Sequence, residues 1–160
     1  MVRNAYDYYA TPEWCYEKLP IDYSKYKSAL EPCAGDYRIA TFLEDKGIEF
    51  VDTCEIQENR DFFDYSGKVD LIFTNPPYSI ALEFIEKALQ HADTVIMLLR
   101  INFLGAQKRH TFFSNNEPDA LYVLSKRPSF TGKGTDSTEY AWYVWQNKEK
   151  YINPGIYHIL

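Results

Sequence analysis

The chain is poor in cysteine. Its three, Cys15, Cys33 and Cys54, form no CxxC pair and no spacing with histidine that would clasp a metal. That argues against a disulfide framework and a zinc site and leaves three reduced thiols, with no metal expected. Long hydrophobic runs are also missing. The longest is six residues, 140–145, against the ~18 needed to cross a bilayer, and no basic-then-apolar leader opens the chain. A soluble, cytoplasmic protein without a membrane partner is the expectation. No repeat, low-complexity tract or linker interrupts the sequence, so residues 1–160 are expected to form a single domain. The chain lacks a GxGxxG turn and a P-loop lysine, so it is not built around a pyrophosphate or triphosphate, and NAD and ATP drop out as ligands.

Positive charge is scarce as well: the net charge is −6, which taken alone speaks against an anionic partner. Its distribution says otherwise. Residues 1–80 hold 8 Lys/Arg against 15 Asp/Glu, whereas residues 81–160 hold 9 against 8. Within 100–133 stand Arg100, Lys108, Arg109, Lys126, Arg127 and Lys133, opposed only by Glu117 and Asp119. These six are candidate nucleic-acid contacts, beside the plainer reading of solvated surface charge. What the chain has in plenty is aromatic rings, 17% of residues with 14 Tyr, 10 Phe and 3 Trp. Partly exposed rings offer faces on which bases stack, although rings also fill cores.

Short apolar runs rich in β-branched and aromatic residues alternate with segments of helical period, the pattern of βαβ units in an α/β fold with a mainly parallel sheet. Strands are expected at 27–31, 49–54, 69–74, 94–99, 120–124 and 140–145. Helices are expected at 37–46, stopped by Gly47, from a Ser79 cap to residue 90, and at 105–115. The polar segment 125–139 is long for a hairpin loop, and such loops are often functional.

In open α/β sheets ligands bind beyond the carboxyl ends of the strands, and the informative residues fall there. Glu31-Pro32-Cys33-Ala34-Gly35-Asp36 follows the first strand, and Glu55, 20 residues after Gly35, has the spacing of an acid that grips ribose hydroxyls. An adenosine derivative is the implied ligand. Asn75-Pro76-Pro77-Tyr78, directly after a buried strand, is the sharpest signal.

At these residues the chain resembles the S-adenosylmethionine-dependent amino-methyltransferases, chiefly the DNA N6-adenine methyltransferases, whose hallmark is [Asp/Asn/Ser]-Pro-Pro-[Tyr/Phe]. The resemblance runs over nearly the whole chain. Tyr9-Ala10-Thr11-Pro12 is similar to the family's N-terminal cofactor motif, residues 31–36 to its Gly-loop, Glu55 with Ile56 to its ribose acid, and Asp61-Phe62 to its adenine-ring contacts. Segments 104–109, 127–134 and 140–145 are similar to small phage-borne members, which suggests a phage or prophage origin and a setting in restriction-modification. The resemblance implies a Rossmann-like class I methyltransferase fold, a seven-stranded sheet with one antiparallel strand and helices on both faces. It implies S-adenosylmethionine as cofactor, held by Tyr9, Thr11, Pro12, Glu31, Pro32, Cys33, Ala34, Gly35, Glu55, Ile56, Asp61, Phe62 and Asn75. DNA, duplex or single-stranded, is the implied partner, and Asn75, Pro76, Pro77 and Tyr78 the implied catalytic residues.

The chemistry accounts for those residue types. A purine's exocyclic amine is a poor nucleophile because its lone pair is delocalised into the ring. The Asn75 side-chain oxygen and the Pro76 carbonyl can each accept one N6–H, holding the amine more tetrahedral, while Tyr78 stacks on the base. Direct in-line transfer then needs no covalent intermediate, strong base or catalytic histidine. In duplex DNA the base must first be flipped out.

The chain departs from the family in two ways. Relatives carry glycine two positions after Gly35, where this chain has the bulky Tyr37 near the expected methionine moiety. No separate target-recognition domain is expected within residues 1–160, so specificity is expected from loops 101–116 and 125–139 or from a second subunit, with a homodimer among the expectations. Cytosine-5 methylation needs a Pro-Cys nucleophile, and Pro32-Cys33 lies in the cofactor turn instead. The alternatives that stand are an RNA N6-adenine or protein-glutamine methyltransferase and a catalytically silent binding relative that has lost cofactor because of Tyr37.

Overall fold

The structure, a computed structural model, describes residues 10–130, 134–135 and 137–159. Tyr9 and Lys133, named above as candidate cofactor and nucleic-acid contacts, lie outside the described residues. The elements run β1 (Ser28–Glu31), α1 (Arg38–Asp45), β2 (Phe50–Thr53), β3 (Val69–Thr74), α2 (Ala81–His91), β4 (Ala92–Arg100), α3 (His110–Asn115), β5 (Ala120–Leu124), β6 (Tyr140–Gln146) and β7 (Gly155–Ile159). All seven strands form one sheet, in the order β2-β1-β3-β4-β6-β5-β7. Pairing is parallel except where β6 runs antiparallel between β4 and β5. The α/β class and the one antiparallel strand are therefore as the sequence led one to expect.

Strand periodicity splits the core into two layers. Ile96 and Leu98 of β4 join Tyr140, Trp142 and Val144 of β6 on one face, with Ile39 and Leu43 of α1. Val95, Met97 and Leu99 join Ala141, Tyr143 and Trp145 on the other, with Phe84, Ile85 and Ala88 of α2. Both faces of β6 are buried, which is why its residues read as an unbroken apolar run. The segment before β1 closes the first face and is tied down by the Trp142 indole N–H, which donates to the Cys15 carbonyl at 2.7 Å. All three cysteines are free thiols, and burial pushes Cys15 up to about 12. Among the described residues no helix is long and apolar enough to cross a membrane.

Helix α1 ends as the sequence indicated. Gly47 takes φ +91°, its N–H donates to the Glu44 carbonyl, and the Ile48 N–H reaches back to Leu43. This Schellman arrangement needs a left-handed residue. Other boundaries differ. Ser79 does not cap α2. Pro76 and Pro77 supply no N–H and Pro77 is extended (φ −60°, ψ 122°), so a 3-10 turn, Tyr78–Ile80, intervenes and α2 begins at Ala81 without a side-chain cap. The basic helix expected over 105–115 is interrupted because Ala106 is extended (φ −92°, ψ 135°); a 3-10 turn, Gln107–Arg109, precedes the six-residue α3. Strand β7 has no counterpart in the apolar periodicity. It is an edge strand with four of its five residues exposed, so no buried face leaves an alternation to read.

Candidate active site

β1, β2, β3 and β4 run parallel, so their carboxyl ends share one end of the sheet, and the strand-end positions expected to bind cofactor or act in catalysis, Glu31, Glu55 and Asn75, lie there. β1 ends in Glu31, which is only 1% exposed. Its carboxylate accepts from the Cys33 N–H at 2.8 Å and from the hydroxyl of Thr74, the last residue of β3. Both partners are neutral. Burial pushes the Glu31 carboxyl up to about 8; the two hydrogen bonds oppose the rise and the charge of Glu55 adds to it. Cys33 is likewise held well above the ordinary thiol range, first by burial and then by Glu31, so it remains a neutral thiol rather than a nucleophile.

After β1 the chain turns through Gly35 at φ +56°. Two bonds clasp this turn to the end of β2: the Ala34 N–H donates to the Cys54 carbonyl at 3.0 Å, and the Gly35 N–H donates to Glu55 at 2.7 Å. Glu55 also caps the 3-10 turn Ile56–Glu58 by accepting from the Gln57 N–H at 3.1 Å. Each of its oxygens keeps a lone pair for a further donor. Ile56 beside it is 46% exposed. Asp61 caps the next 3-10 turn, Phe62–Asp64, through the Phe63 N–H at 2.9 Å. Phe62 is 1% exposed and packs on Phe84 in the core, whereas the ring that reaches solvent from this turn belongs to Phe63, 41% exposed. The resemblance named Phe62 as the ring contact; nothing in the sequence showed that its neighbour Phe63 is the one that faces outward.

Tyr37 sits at φ +66°, the left-handed conformation that a glycine adopts without strain, and its hydroxyl donates to Glu58. The phenol thus straps the start of α1 to the turn that follows Glu55. Next to it Arg38 pairs with Asp36 at 2.6 Å and donates to the Thr11 carbonyl at 3.3 Å.

Thr11 and Asn75 meet across 64 positions of sequence. The Asn75 Nδ2 donates to the Thr11 hydroxyl at 3.0 Å, and the Tyr78 hydroxyl donates to Asn75 Oδ1 at 3.1 Å. Thr11 is buried, and the amide of Asn75 is thereby oriented with its oxygen toward Tyr78. Pro76 is buried, and Pro12 and Pro77 are half-buried. The Arg100 guanidinium lies over the Tyr78 ring, 5.2 Å from its centroid, and Arg100 Nε donates to the Tyr140 hydroxyl at 3.3 Å. No sequence signal paired Arg100 with Tyr78; the strand end on which it stands was the only hint.

The remaining basic candidates sit in separate local settings. Arg109 is stitched to its own loop by a 2.6 Å bond to the Phe103 carbonyl. Lys108 is exposed, Lys126 lies 4.5 Å over the Trp14 ring, and Arg127 pairs with Glu139 at 3.5 Å. An open cleft of about 500 Å³ lined by Leu104, Gln107, His110, Phe113 and Glu117 occupies the expected recognition loop after β4. Among the described residues no group of three His, Cys, Asp or Glu side chains could hold a metal ion.

The residues fit the cofactor that the resemblance implies. Glu31 is a desolvated carboxyl with neutral partners, a site that favours a cation such as an amino-acid ammonium, and Glu55 retains acceptor capacity for ribose hydroxyls.

No family model and no curated protein matches the chain. Solved structures do. A protein from Pyrococcus horikoshii described as a candidate RNA methyltransferase superposes with TM-score 0.65 at 16% identity over 89% of this chain and 86% of its own. A modification subunit of a candidate type I restriction enzyme from Vibrio vulnificus gives 0.57 at 14% identity over 95% of this chain and 47% of its own. A candidate class I S-adenosylmethionine-dependent methyltransferase from Listeria monocytogenes gives 0.54 at 13% identity over 91% and 60%. With the sheet order and the single antiparallel strand, these likenesses establish that the chain has the class I methyltransferase fold.

Proposed function

We propose that the chain is an S-adenosylmethionine-dependent methyltransferase acting on the N6 amine of adenine in DNA. The observation that carries this reading is the orientation of Asn75: an amide oxygen at the end of β3, aimed by a buried threonine and flanked by an aromatic ring, suits the capture of a conjugated amine. Thr11 takes up the amide NH2, so the oxygen faces the substrate. Asn75 Oδ1 has two lone pairs and accepts an N6–H either beside the Tyr78 hydroxyl or in its place. The Pro76 carbonyl accepts the second N6–H, and Tyr78, backed by Arg100, stacks on the base. Glu31 receives the cofactor's ammonium group, Glu55 its ribose hydroxyls, and Ile56 borders its adenine with the Asp61–Phe62 turn. Bound there, S-adenosylmethionine supplies an electrophilic methyl group. The protein's own contribution is to hold the amine with its lone pair localised, an interaction that strengthens toward the transition state.

The test is a calorimetric titration with S-adenosylmethionine, followed by incubation of the protein with tritiated cofactor and separate pools of duplex DNA, single-stranded DNA and RNA. Label on adenine N6 of a DNA pool is the expected result. Absence of binding at millimolar cofactor refutes the reading in favour of a silent relative. Label confined to RNA supports the second reading, favoured by the likeness over most of both chains to the protein described as a candidate RNA methyltransferase.

A further inference from the structure

Three half-buried rings, Trp14, Phe130 and Tyr78, lie around the same end of the sheet as Asn75, and two of them, Trp14 and Tyr78, stand beside a cation. Trp14 is half-buried on the 3-10 turn Glu13–Cys15, three residues after Thr11, with the Lys126 ammonium 4.5 Å from its ring centroid. Phe130 is half-buried edge-on to Tyr140 at 5.2 Å, in the segment that carries Lys126 and Arg127. Tyr140 stands 5.6 Å from Tyr78, over which Arg100 lies. Trp14, Phe130 and Tyr78 all pack against the same layer of the core. Alternating aromatic and basic groups at the mouth of one site match a chain of bases with a phosphate at every step.

Resting on the methyltransferase reading above, we propose that the substrate strand is unpaired over several nucleotides, with bases flanking the target adenine stacked on Trp14 and Phe130 and their phosphates taken up by Lys126 and Arg127. Magnitudes favour this occupant. A cation over an exposed ring shifts an equilibrium only about two- to fivefold, whereas a base stacked on an aromatic side chain shifts it about 5–150-fold. A base therefore displaces Lys126 from the Trp14 face and frees the ammonium for the backbone. Arg127 is held by Glu139 only across an exposed pair, 49% and 62% accessible, of the weak kind that yields to a phosphate. A duplex gains none of this, because its base faces are hidden in the stack and each base must be unstacked and unpaired before a ring can reach it. The acids near the track, Glu13 and Glu139, limit binding by charge alone and put the weight on stacking.

The protein supplies its own reporter. Trp142 and Trp145 are buried, so Trp14 is the one tryptophan of the three that a ligand can stack on. The full chain, without cofactor, is titrated with oligodeoxyadenylate, oligoriboadenylate and a duplex of equal length. Tryptophan quenching and the anisotropy of end-labelled strands are both followed. Quenching by a single strand, with affinity at least about tenfold above that of the duplex, is expected, since tenfold is the equivalent of one stacked base. The two single strands separate DNA from RNA. Trp14→Ala and Phe130→Ala should each weaken single-strand binding about tenfold, and Trp14→Phe should abolish the quench while binding stays within a few-fold. Lys126→Ala, which removes an exposed side chain and leaves the core intact, should weaken binding and flatten its salt dependence. Duplex binding equal to or tighter than single-strand binding, or single-strand binding indifferent to both ring substitutions, overturns the proposal. Failure of methyl transfer with this binding intact refutes the enzyme and spares the strand assignment. Methylation of duplex DNA without quenching does the reverse.

Discussion

Glu31→Gln isolates the least comfortable group in the fold. The substitution keeps the shape of the side chain, an oxygen for the Cys33 N–H and a partner for Thr74, and removes only the charge. In the folded protein burial raises the carboxyl from 4.5 to about 8. The folded state therefore holds this proton more tightly than the unfolded chain does. The stability that protonated Glu31 contributes is fully present below about pH 4.5 and is lost as pH rises to about 8. At about 1.36 kcal/mol per pH unit the loss reaches up to about 5 kcal/mol, a large share of the roughly 5–15 kcal/mol that holds a domain together. Urea unfolding of the cofactor-free protein at a series of pH values tests this. Wild-type and Glu31→Gln curves should coincide in acid and diverge steadily toward pH 8, the variant being the more stable. Cofactor affinity should move the other way at pH 8, weakening about 10–150-fold with the loss of a charge-assisted hydrogen bond of about 1.5–3 kcal/mol. Parallel pH profiles for the two proteins would mean that Glu31 is not the group whose proton the fold retains.

Further perturbations have equally definite outcomes. Thr11→Val frees the Asn75 amide to rotate and should lower kcat about tenfold with little change in KM for cofactor, while Thr11→Ser restores it; equal losses in both variants would mark a packing role instead. Tyr37→Phe removes the bond to Glu58, and stopped-flow binding should show faster cofactor association than wild type. Gly47→Ala places a side chain at φ +91° where no atom lies within 4 Å, so thermal denaturation should report only the conformational cost, about 1–2 kcal/mol.

The fold was legible wherever burial is two-sided or a residue type is forced. β3, β4 and β6 are apolar runs because both faces are covered, and Gly47 stops α1 because the Schellman turn needs its φ. β7 escaped because an exposed edge strand leaves no periodicity, and the 3-10 turns after Glu55, Asp61 and Pro77 because they are local caps without a helical stripe. In the candidate site, strand-end positions could be picked out since each follows an apolar run. The pairings could not: Thr11 with Asn75, Arg100 with Tyr78 and Tyr37 with Glu58 are contacts through space that no spacing encodes. Tyr37 shows the limit most plainly. Its bulk was visible, but not that it would occupy a glycine's conformation and turn its phenol onto Glu58.

The most direct test of the account compares wild type with Asn75→Ala, using tritiated cofactor and adenine-containing DNA under conditions where both proteins are saturated with cofactor. If the Asn75 oxygen holds the amine in the transition state, the variant should bind cofactor as wild type does and transfer label about 10²–10³-fold more slowly. Transfer by the variant at the wild-type rate would mean that the Asn75 oxygen does not hold the amine in the transition state.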